Sequence, residues 1–343
     1  MAKTDIPVIS VITPTFNRAN ELPFLVQSIQ NQTLDHSLFE MIIVDDGSTD
    51  NTESLVRSLI EKINFNLKYF TKNNQGPGAA RNYGIKNSKG ELILFIDSDC
   101  EADPLWMEII YDYYTKEGFD ACGGPDAAKS DFTPLQKAID YSMTSFMTTG
   151  GMRGHNTKMI AKFYPRSHNM GVTKILIKKV GGFGSLRHGQ DIELSYRIRK
   201  IGSRVIFIKD AIVYHRRRTT LKKFFRQVFN WGIARINLGK IDSVMLEPIH
   251  YLPSIVTLLF FVITIGLTIN FKIFSLLFFI GLMGLGFISV YGGIVKESII
   301  VGLFLPLVVT IQLFGYGVGF LSAFVVRFIF NGKVLKGFTK KYY

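Results

Sequence analysis

The sequence predicts an α/β domain with a mostly parallel central sheet, followed by an α-helical membrane region. In the first half, short apolar runs typical of buried strands alternate with segments that have helical periodicity. Further along lie three long apolar stretches without charge, at 252–269, 273–291 and 298–326, and each is long enough to cross a bilayer. The 343 residues provide enough chain for both parts.

The first two strand–helix units are predicted from alternating patterns. Residues 8–14 form an apolar, β-rich run, and residues 21–30 carry apolar side chains at helical spacing. Residues 39–44 repeat the strand pattern. Thr49 or Asp50 is then predicted to cap a helix that runs to Ile63.

The next two strands complete the predicted sheet. Residues 67–70 form a third strand, and a turn-rich loop at 73–78 leads into a helix over 79–87. Residues 91–96 form a fourth strand, in which the five residues after Glu91 are all apolar. Strands separated by helices of this length indicate βαβ units, whose ligands bind beyond the carboxyl ends of the strands.

Two aspartates follow the fourth strand directly. Asp97 and Asp99 are two positions apart, so both carboxylates face the same side of an extended chain. Two like charges held this close require a cation, and oxygen ligands suit Mg²⁺ or Mn²⁺ better than Zn²⁺. The alternative is a simple helix cap.

Four polar loops are expected at the same sheet edge, at 13–18, 45–48, 75–81 and 97–99. They offer carboxylates for a ribose or base, open backbone amides, an arginine for phosphate and a metal site. This combination indicates a pocket for a nucleoside diphosphate. The chain lacks Gly-x-Gly-x-x-Gly in a dinucleotide-binding context and lacks Gly-Lys-Ser/Thr, so neither hydride transfer nor NTP hydrolysis is supported.

The same loops resemble the consecutive signatures of glycosyltransferase family 2, whose members have the GT-A fold. The matching segments are Pro14-Thr15-Phe16-Asn17-Arg18, Val44-Asp45-Asp46-Gly47-Ser48-Thr49-Asp50, Gly76-Pro77-Gly78-Ala79-Ala80-Arg81-Asn82 and Asp97-Ser98-Asp99. The resemblance covers about residues 7–235 and implies a hexosyltransferase that uses a UDP- or GDP-type sugar donor. The implied donor-binding residues are Pro14, Thr15, Asn17, Arg18, Asp45, Asp46, Gly76, Arg81, Asp97 and Ser98.

The resemblance also implies roles within this set. Asp45 or Asp46 would hold the nucleotide, and Arg81 would lie near the nucleotide or its phosphates. Asp99, helped by Asp97, would carry the Mg²⁺ or Mn²⁺ that bridges the diphosphate. In related GT-A enzymes a histidine completes the metal shell, and His215 is the candidate here.

The general base is expected at residue 191. The family usually has Glu-Asp-x-Asp-Leu at this point, with the second residue as base, and this chain has Gln190-Asp191-Ile192-Glu193-Leu194. The resemblance therefore implies Asp191 as the base of an inverting transfer. Its surroundings differ from the family pattern, because Gln190 removes one negative neighbour. A helix-capping role for Asp191 is the alternative.

A base is needed when the acceptor is a hydroxyl, since a phosphate acceptor is already ionised. Polyprenyl-phosphate sugar synthases also carry an arginine motif that is not found in this chain. The favoured acceptor is therefore a hydroxyl of a lipid-linked glycan or a cell-surface polysaccharide. The alternatives are a polyprenyl-phosphate glycosyltransferase and a catalytically degenerate membrane scaffold. Residues 150–155 are predicted to form a loop. This loop either lies near the acceptor or has no functional role.

Charge is unevenly distributed along the chain. Residues 1–130 hold 11 Lys or Arg and 19 Asp or Glu, whereas residues 153–240 hold 21 and 3. The basic half precedes the apolar stretches, which indicates positive-inside topology, contact with anionic lipids or a phosphorylated ligand. Nucleic acid is not expected as a partner, because no nucleic-acid-binding signature accompanies the charge. Arg216, Arg217 and Arg218 are candidate contacts for the diphosphate or for lipid.

The predicted domains follow from these patterns. Residues 1–218 form the catalytic domain, with a nucleotide-binding half to about 125 and an acceptor half from 126. A basic amphipathic helix region at 219–248, expected at the membrane surface, precedes the membrane region at 249–330 and a basic tail at 331–343.

The cellular location and topology are predicted next. The N-terminus has no secretory h-region, so a multi-pass cell-membrane protein with a cytosolic catalytic domain is expected. Two cysteines suggest a reducing compartment. Three crossings would place the basic tail outside, against the positive-inside rule. Residues 298–326, interrupted by Pro306 and by glycines at 315, 317 and 319, are therefore predicted as a re-entrant hairpin.

Overall fold

A computed structural model describes residues 6–129, 131–149 and 163–338. The loop at 150–155 and residues 339–343 of the predicted tail lie outside the described residues. The strands are β1 Ile9–Thr15, β2 Phe39–Asp45, β3 Asn66–Thr71, β4 Leu92–Phe95, β5 Cys100–Ala102, β6 Ala121–Gly123, β7 Asp126–Ala127, β8 Met170–Thr173, β9 Val205–Phe207 and β10 Val213–His215.

The α-helices connect and flank these strands. They are α1 Leu22–Gln30, α2 Thr52–Ile60, α3 Pro77–Asn87, α4 Trp106–Lys116, α5 Pro134–Thr144, α6 Phe146–Thr149, α7 Lys174–Val180, α8 Gln190–Lys200, α9 Leu221–Ile241, α10 Leu252–Ile269, α11 Phe271–Val295 and α12 Ile299–Phe324. Short 3₁₀ turns lie at His36–Leu38, Ser243–Met245 and Pro248–Tyr251, and a π-helical turn at Val325–Ile329 follows α12.

The chain forms two compact units. The α/β unit comprises the described parts of 1–127 and 153–216, and the helical unit comprises the described parts of 128–152 and 217–340. Helices α5 and α6 belong to the helical unit, so the predicted acceptor half at 126–218 is divided between the two units.

The α/β unit is built on a seven-stranded sheet in the order β3-β2-β1-β4-β8-β6-β9. The pairs among β1 to β4 are parallel, and β8 is antiparallel to both of its neighbours. Strands β1, β2 and β4 are buried along their whole length, which is typical of parallel strands covered on both faces. The predicted GT-A-like, mostly parallel sheet is therefore confirmed.

A second sheet, in the order β5-β10-β7, was not predicted. Strand β10 runs antiparallel to β5, with His215 opposite Cys100, and parallel to β7, with Val213 opposite Asp126. Each of these strands has only two or three residues, which is too short to show periodicity in the sequence.

The predicted boundaries of α2 and α3 need correction. Helix α2 has Asn51 as its N-cap and ends at Ile60, although the Asp50 carboxylate does accept hydrogen bonds from the N–H and hydroxyl of Thr52. Helix α3 begins at Pro77, because proline suits the first turn of a helix. The preceding Gly76 has a φ of 94°, a conformation that favours glycine.

Three helices of the helical unit are long and apolar enough to cross a membrane, by length and composition: Pro248–Ile269, Phe271–Val295 and Ile299–Ile329. The predicted re-entrant hairpin is wrong, because α12 runs without a break for 26 residues and includes Pro306. Its glycines do not form a turn. They provide close contacts, since a methyl group added at Gly317 or Gly319 would overlap atoms of α10 or α9.

Helix α9, Leu221–Ile241, lies within the region 219–248 where the sequence predicts an amphipathic helix. Its buried face, which includes Phe224, Val228 and Ile236, packs on α12 and other parts of the helical unit. The placement of its basic face at a membrane surface stays a prediction.

We expect Gly319→Ala to destabilise the helical unit, because the new methyl group would overlap the Phe229 carbonyl oxygen of α9. Overpacking of this kind costs about 1–3 kcal/mol. The matched control is Gly286→Ala on α11, where no atom lies within 4 Å of the added carbon. Thermal unfolding of the detergent-solubilised chain should show a lower Tm only for Gly319→Ala. Equal Tm values for the two variants would contradict the close-packing account.

Candidate active site

The predicted donor-binding loops meet at the carboxyl edge of the parallel strands. Pro14 pairs with Val44 and Thr15 with Asp45 across β1 and β2. Strand β4 lies on the other side of β1 and leads to Asp97, Ser98 and Asp99. Helix α3, which carries Arg81, follows β3 at the same edge.

Asp45 and Asp46 are both buried and already have protein partners. Asp45 accepts hydrogen bonds from the Tyr69 hydroxyl at 2.6 Å and from the Ser48 N–H at 2.8 Å. Burial and the Asp45 carboxylate raise the pKa of Tyr69, so its hydroxyl remains a donor. Asp46 accepts hydrogen bonds from Lys72 Nζ and from the backbone N–H groups of Gln75 and of Gly76, which is the N-cap of α3. Asp46 therefore fixes the loop that presents α3.

Asn17 ties the loop after β1 to the loop after β2. Its side-chain oxygen accepts from the Thr49 N–H at 2.7 Å, and its own N–H donates to the Ser48 hydroxyl at 2.8 Å. Its φ is 53°, a left-handed conformation that asparagine tolerates better than most residues. These bonds give the two loops a fixed relative position.

Arg18 lies in the electrostatic field of the aspartate pair. Its guanidinium forms two hydrogen bonds with Glu21, at 2.8 and 2.7 Å. Burial lowers the pKa of Arg18, but Asp99, Glu21 and Asp97 outweigh this effect and raise it. Arg18 therefore keeps its positive charge close to the predicted diphosphate site.

Arg81 pairs with Asp97. Its Nη2 lies 2.5 Å from Asp97 Oδ1, and its guanidinium lies over the Phe183 ring, 5.2 Å from the centroid. The arginine side chain is only 7% exposed. Within the described residues, the buried Nε of Arg81 and Oγ1 of Thr15 have no hydrogen-bond partner. Both atoms belong to residues predicted to bind the donor.

Asp99 faces His215. Asp99 Oδ1 lies 3.4 Å from His215 Nε2, and these side chains are 11% and 13% exposed. The contact depends on the small sheet, because β10 carries His215 beside β5, and the Arg216 N–H donates to the Asp99 carbonyl. Cys100 completes a group of possible metal ligands. Burial and nearby carboxylates raise the pKa of the Cys100 thiol well above the usual range, so the thiol stays protonated. Carboxylate oxygen and imidazole nitrogen are therefore the expected metal ligands.

Two residues near His215 were missed in the sequence, namely Asp126 and His168. Asp126 Oδ2 lies 3.8 Å from His215 Nδ1 and 3.8 Å from His168 Nε2. The two imidazole rings are 5.1 Å apart between centroids. These three residues form a second group with suitable metal-ligand chemistry. Their neighbours in sequence carry no motif. The pairing of β7 with β10 brings Asp126 to His215, and His168 lies in the segment just before β8.

Asp191 lies in the first turn of α8, after Gly189, whose φ of 81° starts the helix. Its Oδ2 is 3.9 Å from Arg166 Nη1. Burial raises the pKa of Asp191, but the positive charges of Arg166 and Arg81 and the nearby His168 outweigh burial, so the pKa lies below its usual value. Asp191 is therefore ionised at neutral pH.

The departures from the family pattern around Asp191 have structural explanations. Gln190 is buried and lies close to Gly78. A residue larger than glycine at position 78 would overlap the side-chain amide of Gln190. Glu193 pairs with Arg197 at 2.6 Å, and Arg197 in turn donates to the carbonyl of Gly182 at 2.6 Å. Both side chains thus hold α8 in place.

The three predicted arginine contacts differ from one another. Arg216 pairs with Glu101 at 3.1 Å and stacks on Phe24, with 4.0 Å to the ring centroid. Arg217 belongs to the helical unit and forms a buried ion pair with Asp140 at 2.8 Å, so a contact with diphosphate or lipid is no longer favoured for it. Arg218 is partly buried and its predicted contact stays a prediction.

The chain belongs to glycosyl transferase family 2, and it is a glycosyltransferase. The family's sequence profile matches residues 10–181, half of the chain. Glycosyltransferase AglE of Haloferax volcanii is 29% identical over 265 residues, covering 72% of this chain and 84% of that protein. The poly(ribitol-phosphate) beta-N-acetylglucosaminyltransferase TarS of Staphylococcus aureus is 39% identical over 90 residues.

Coverage of the other relatives is lower. The 90 residues shared with TarS are 26% of this chain and 16% of that protein, and an uncharacterized Rickettsia conorii glycosyltransferase matches over 14% of its length at 50% identity. Among solved structures, the mannosyltransferase PcManGT of Pyrobaculum calidifontis in complex with GDP-Man and Mn²⁺ has a TM-score of 0.63 at 16% identity, covering 92% of this chain and 87% of that one. S. aureus TarS 1–349 in complex with UDP has a TM-score of 0.51 at 21% identity, covering 92% and 90%. These likenesses confirm the fold.

We expect Asp46→Ala to cost about 3–5 kcal/mol in the free energy of unfolding, because it would leave the largely buried Lys72 ammonium without its ion pair. The control is Asp112→Ala, which removes the exposed pair with Lys116 and should cost less than about 1 kcal/mol. Thermal unfolding of both variants measures the difference. Similar losses for the two would show that Asp46 does not organise the loop before α3.

Proposed function

We propose that this chain is a metal-dependent, inverting glycosyltransferase. It would move a sugar from a nucleoside diphosphate donor to a hydroxyl of a lipid-linked glycan or cell-surface polysaccharide. The observation that carries the proposal is the approach of Asp99 to His215 at 3.4 Å, beyond the carboxyl ends of buried parallel strands. A carboxylate and an imidazole at this place suit a divalent ion beside a diphosphate.

Donor binding is supported by unsatisfied polar atoms at the same edge. Arg81 Nε and Thr15 Oγ1 are buried, and a phosphate or ribose oxygen would supply the partner that each lacks in the described structure. Arg18 and Arg81 add positive charge. Structures of similar fold carry UDP or GDP-Man. We therefore propose a UDP- or GDP-type donor.

Asp99 and His215 would hold Mg²⁺ or Mn²⁺, with Asp97 placed by its pair with Arg81. The imidazole favours Mn²⁺ over Mg²⁺. The bound ion would neutralise charge on the departing diphosphate. Asp97 would act mainly by keeping Arg81 at the phosphates.

Asp191 would act as the general base. Its carboxylate is ionised at neutral pH, because the charges around it lower its pKa. It would accept the proton of the acceptor hydroxyl as that oxygen attacks the anomeric carbon and the bond from that carbon to the diphosphate breaks. Attack opposite to the leaving group inverts the configuration at this carbon.

The helical unit would bind the membrane. Three helices have the length and composition for spanning, and α9 carries Lys222, Lys223 and Arg226 near its start. We propose a multi-pass cell-membrane protein whose catalytic unit is cytosolic and whose basic helix contacts anionic lipids.

We expect Asp99→Asn to lower metal-dependent transfer by about 100-fold or more, because the stabilisation by a catalytic ion is worth several kcal/mol. A thermal-shift panel of UDP, GDP, CDP and dTDP with Mg²⁺ or Mn²⁺ first identifies the nucleotide, since a bound ligand raises the Tm. Turnover of the matching sugar donor is then compared with and without a chelator. The control is Glu61→Gln at an exposed site. Wild-type turnover by Asp99→Asn would exclude the proposed metal site.

We expect Asp191→Asn to lower kcat by about 10²–10⁴-fold, the usual contribution of general base catalysis. Nucleotide affinity should be unchanged, because Asp191 would act on the acceptor. The control is Asp210→Asn, an exposed residue of the α/β unit. If kcat stays near the wild-type value, no base is needed, and the polyprenyl-phosphate acceptor replaces the hydroxyl.

A further inference from the structure

We infer that Asp126 positions His215 for metal binding by keeping the Nδ1–H of the ring directed toward its carboxylate. The inference rests on the proposed metal site at Asp99 and His215. The two nitrogens of the His215 ring face two carboxylates: Nε2 lies 3.4 Å from Asp99 Oδ1, and Nδ1 lies 3.8 Å from Asp126 Oδ2. One nitrogen is thus directed to the ion-binding carboxylate and the other to a buried acceptor.

The chemistry of a neutral imidazole explains this arrangement. One ring nitrogen carries the proton and the other is free to coordinate a metal, and the partner of the N–H decides which is which. A carboxylate at Nδ1 holds the proton there and leaves Nε2 free on the side of Asp99. The same carboxylate also makes Nε2 more basic and therefore a stronger metal ligand. Asp126 is 1% exposed, so water does not compete strongly for its oxygens.

The backbone holds Asp126 in register with His215. Strand β7 pairs with β10, placing Asp126 opposite Val213, two residues before His215. The side-chain amide of Asn169 donates to the carbonyls of Pro125 and Ala211, at 3.0 and 2.8 Å. Its oxygen accepts from the indole N–H of the buried Trp106 at 2.9 Å. The two segments that lead into β7 and β10 are thereby clamped together.

His168 raises a competing arrangement. It also lies 3.8 Å from Asp126 Oδ2, so an ion could be bound directly by Asp126, His168 and His215. In that case His215 would coordinate through Nδ1 instead of Nε2. A neutral ring coordinates through one nitrogen only. The 3.4 Å approach of Nε2 to Asp99 favours the first arrangement, in which Asp126 is a positioning residue.

The test measures Mn²⁺ affinity of the detergent-solubilised full chain, using Mn²⁺ alone and the EPR signal of the free ion. We expect Asp126→Ala to weaken binding by about 10–100-fold, as for other residues that orient metal ligands. Asp126→Asn should recover most of this loss, because its amide oxygen still accepts from Nδ1–H. His168→Ala should weaken binding by less than Asp126→Ala does. Unchanged Tm values check the fold of each variant.

The same variants give a readout of the tautomer. In the metal-free protein, ¹⁵N NMR of labelled histidines, with His215 assigned from His215→Ala, should show Nδ1–H in the wild type and in Asp126→Asn. The two tautomers should mix in Asp126→Ala.

Three results would separate the accounts. Wild-type affinity in Asp126→Ala overturns the inference alone. A loss in His168→Ala equal to or larger than that in Asp126→Ala shows direct coordination and also overturns it. Unchanged Mn²⁺ affinity in Asp99→Asn, or no binding by the wild type, contradicts the proposed function itself.

Discussion

The α/β unit depends on how two like charges are accommodated at the end of a buried strand. Asp97 and Asp99 follow β4 and are two positions apart. Burying two carboxylates without compensating positive charge is energetically costly. The structure gives them different partners: Asp97 pairs with Arg81, and Asp99 faces His215. In the proposed function, Asp97 would hold Arg81 near the phosphates, and Asp99 would bind the ion together with His215.

The surrounding elements hold the two aspartates and their partners in place. Asp46 and Asn17 fix the loops next to α3 and β1, the elements that carry Arg81 and Thr15. The small sheet brings His215 to Asp99. Helix α8 carries Asp191 in the electrostatic field of Arg166 and Arg81. Each of these contacts joins residues that are distant in sequence.

Sequence reasoning could predict strands β1 to β4 of the large sheet, because their apolar runs and the helical periodicity between them are local signals. It also predicted Asp99, Asp191 and His215 as site residues, because each lies in a motif or beside a strand end. It missed Asp126, because strands of two or three residues have no periodicity and their pairing is long-range. It missed His168, because this residue precedes β8 and no motif surrounds it. It assigned Arg217 to a ligand although Asp140, at a sequence separation of 77, is its partner.

The error at α12 has a different physical origin. Proline and glycine indicate turns in a water-soluble segment, but in an apolar helix small residues allow close helix–helix contact. Pro306 lies within the first third of α12, and Gly317 and Gly319 pack against α10 and α9. Local composition therefore gave the wrong structure, whereas tertiary packing explains the same residues.

The central claim is that one divalent ion binds between Asp99 and His215 Nε2. Anomalous X-ray diffraction from crystals soaked with Mn²⁺ and the nucleotide tests it most directly. The account predicts a single manganese peak about 2.0–2.3 Å from both side chains, the usual range for such ligands. A peak between Asp126, His168 and His215 Nδ1, or no peak beside Asp99, would contradict it.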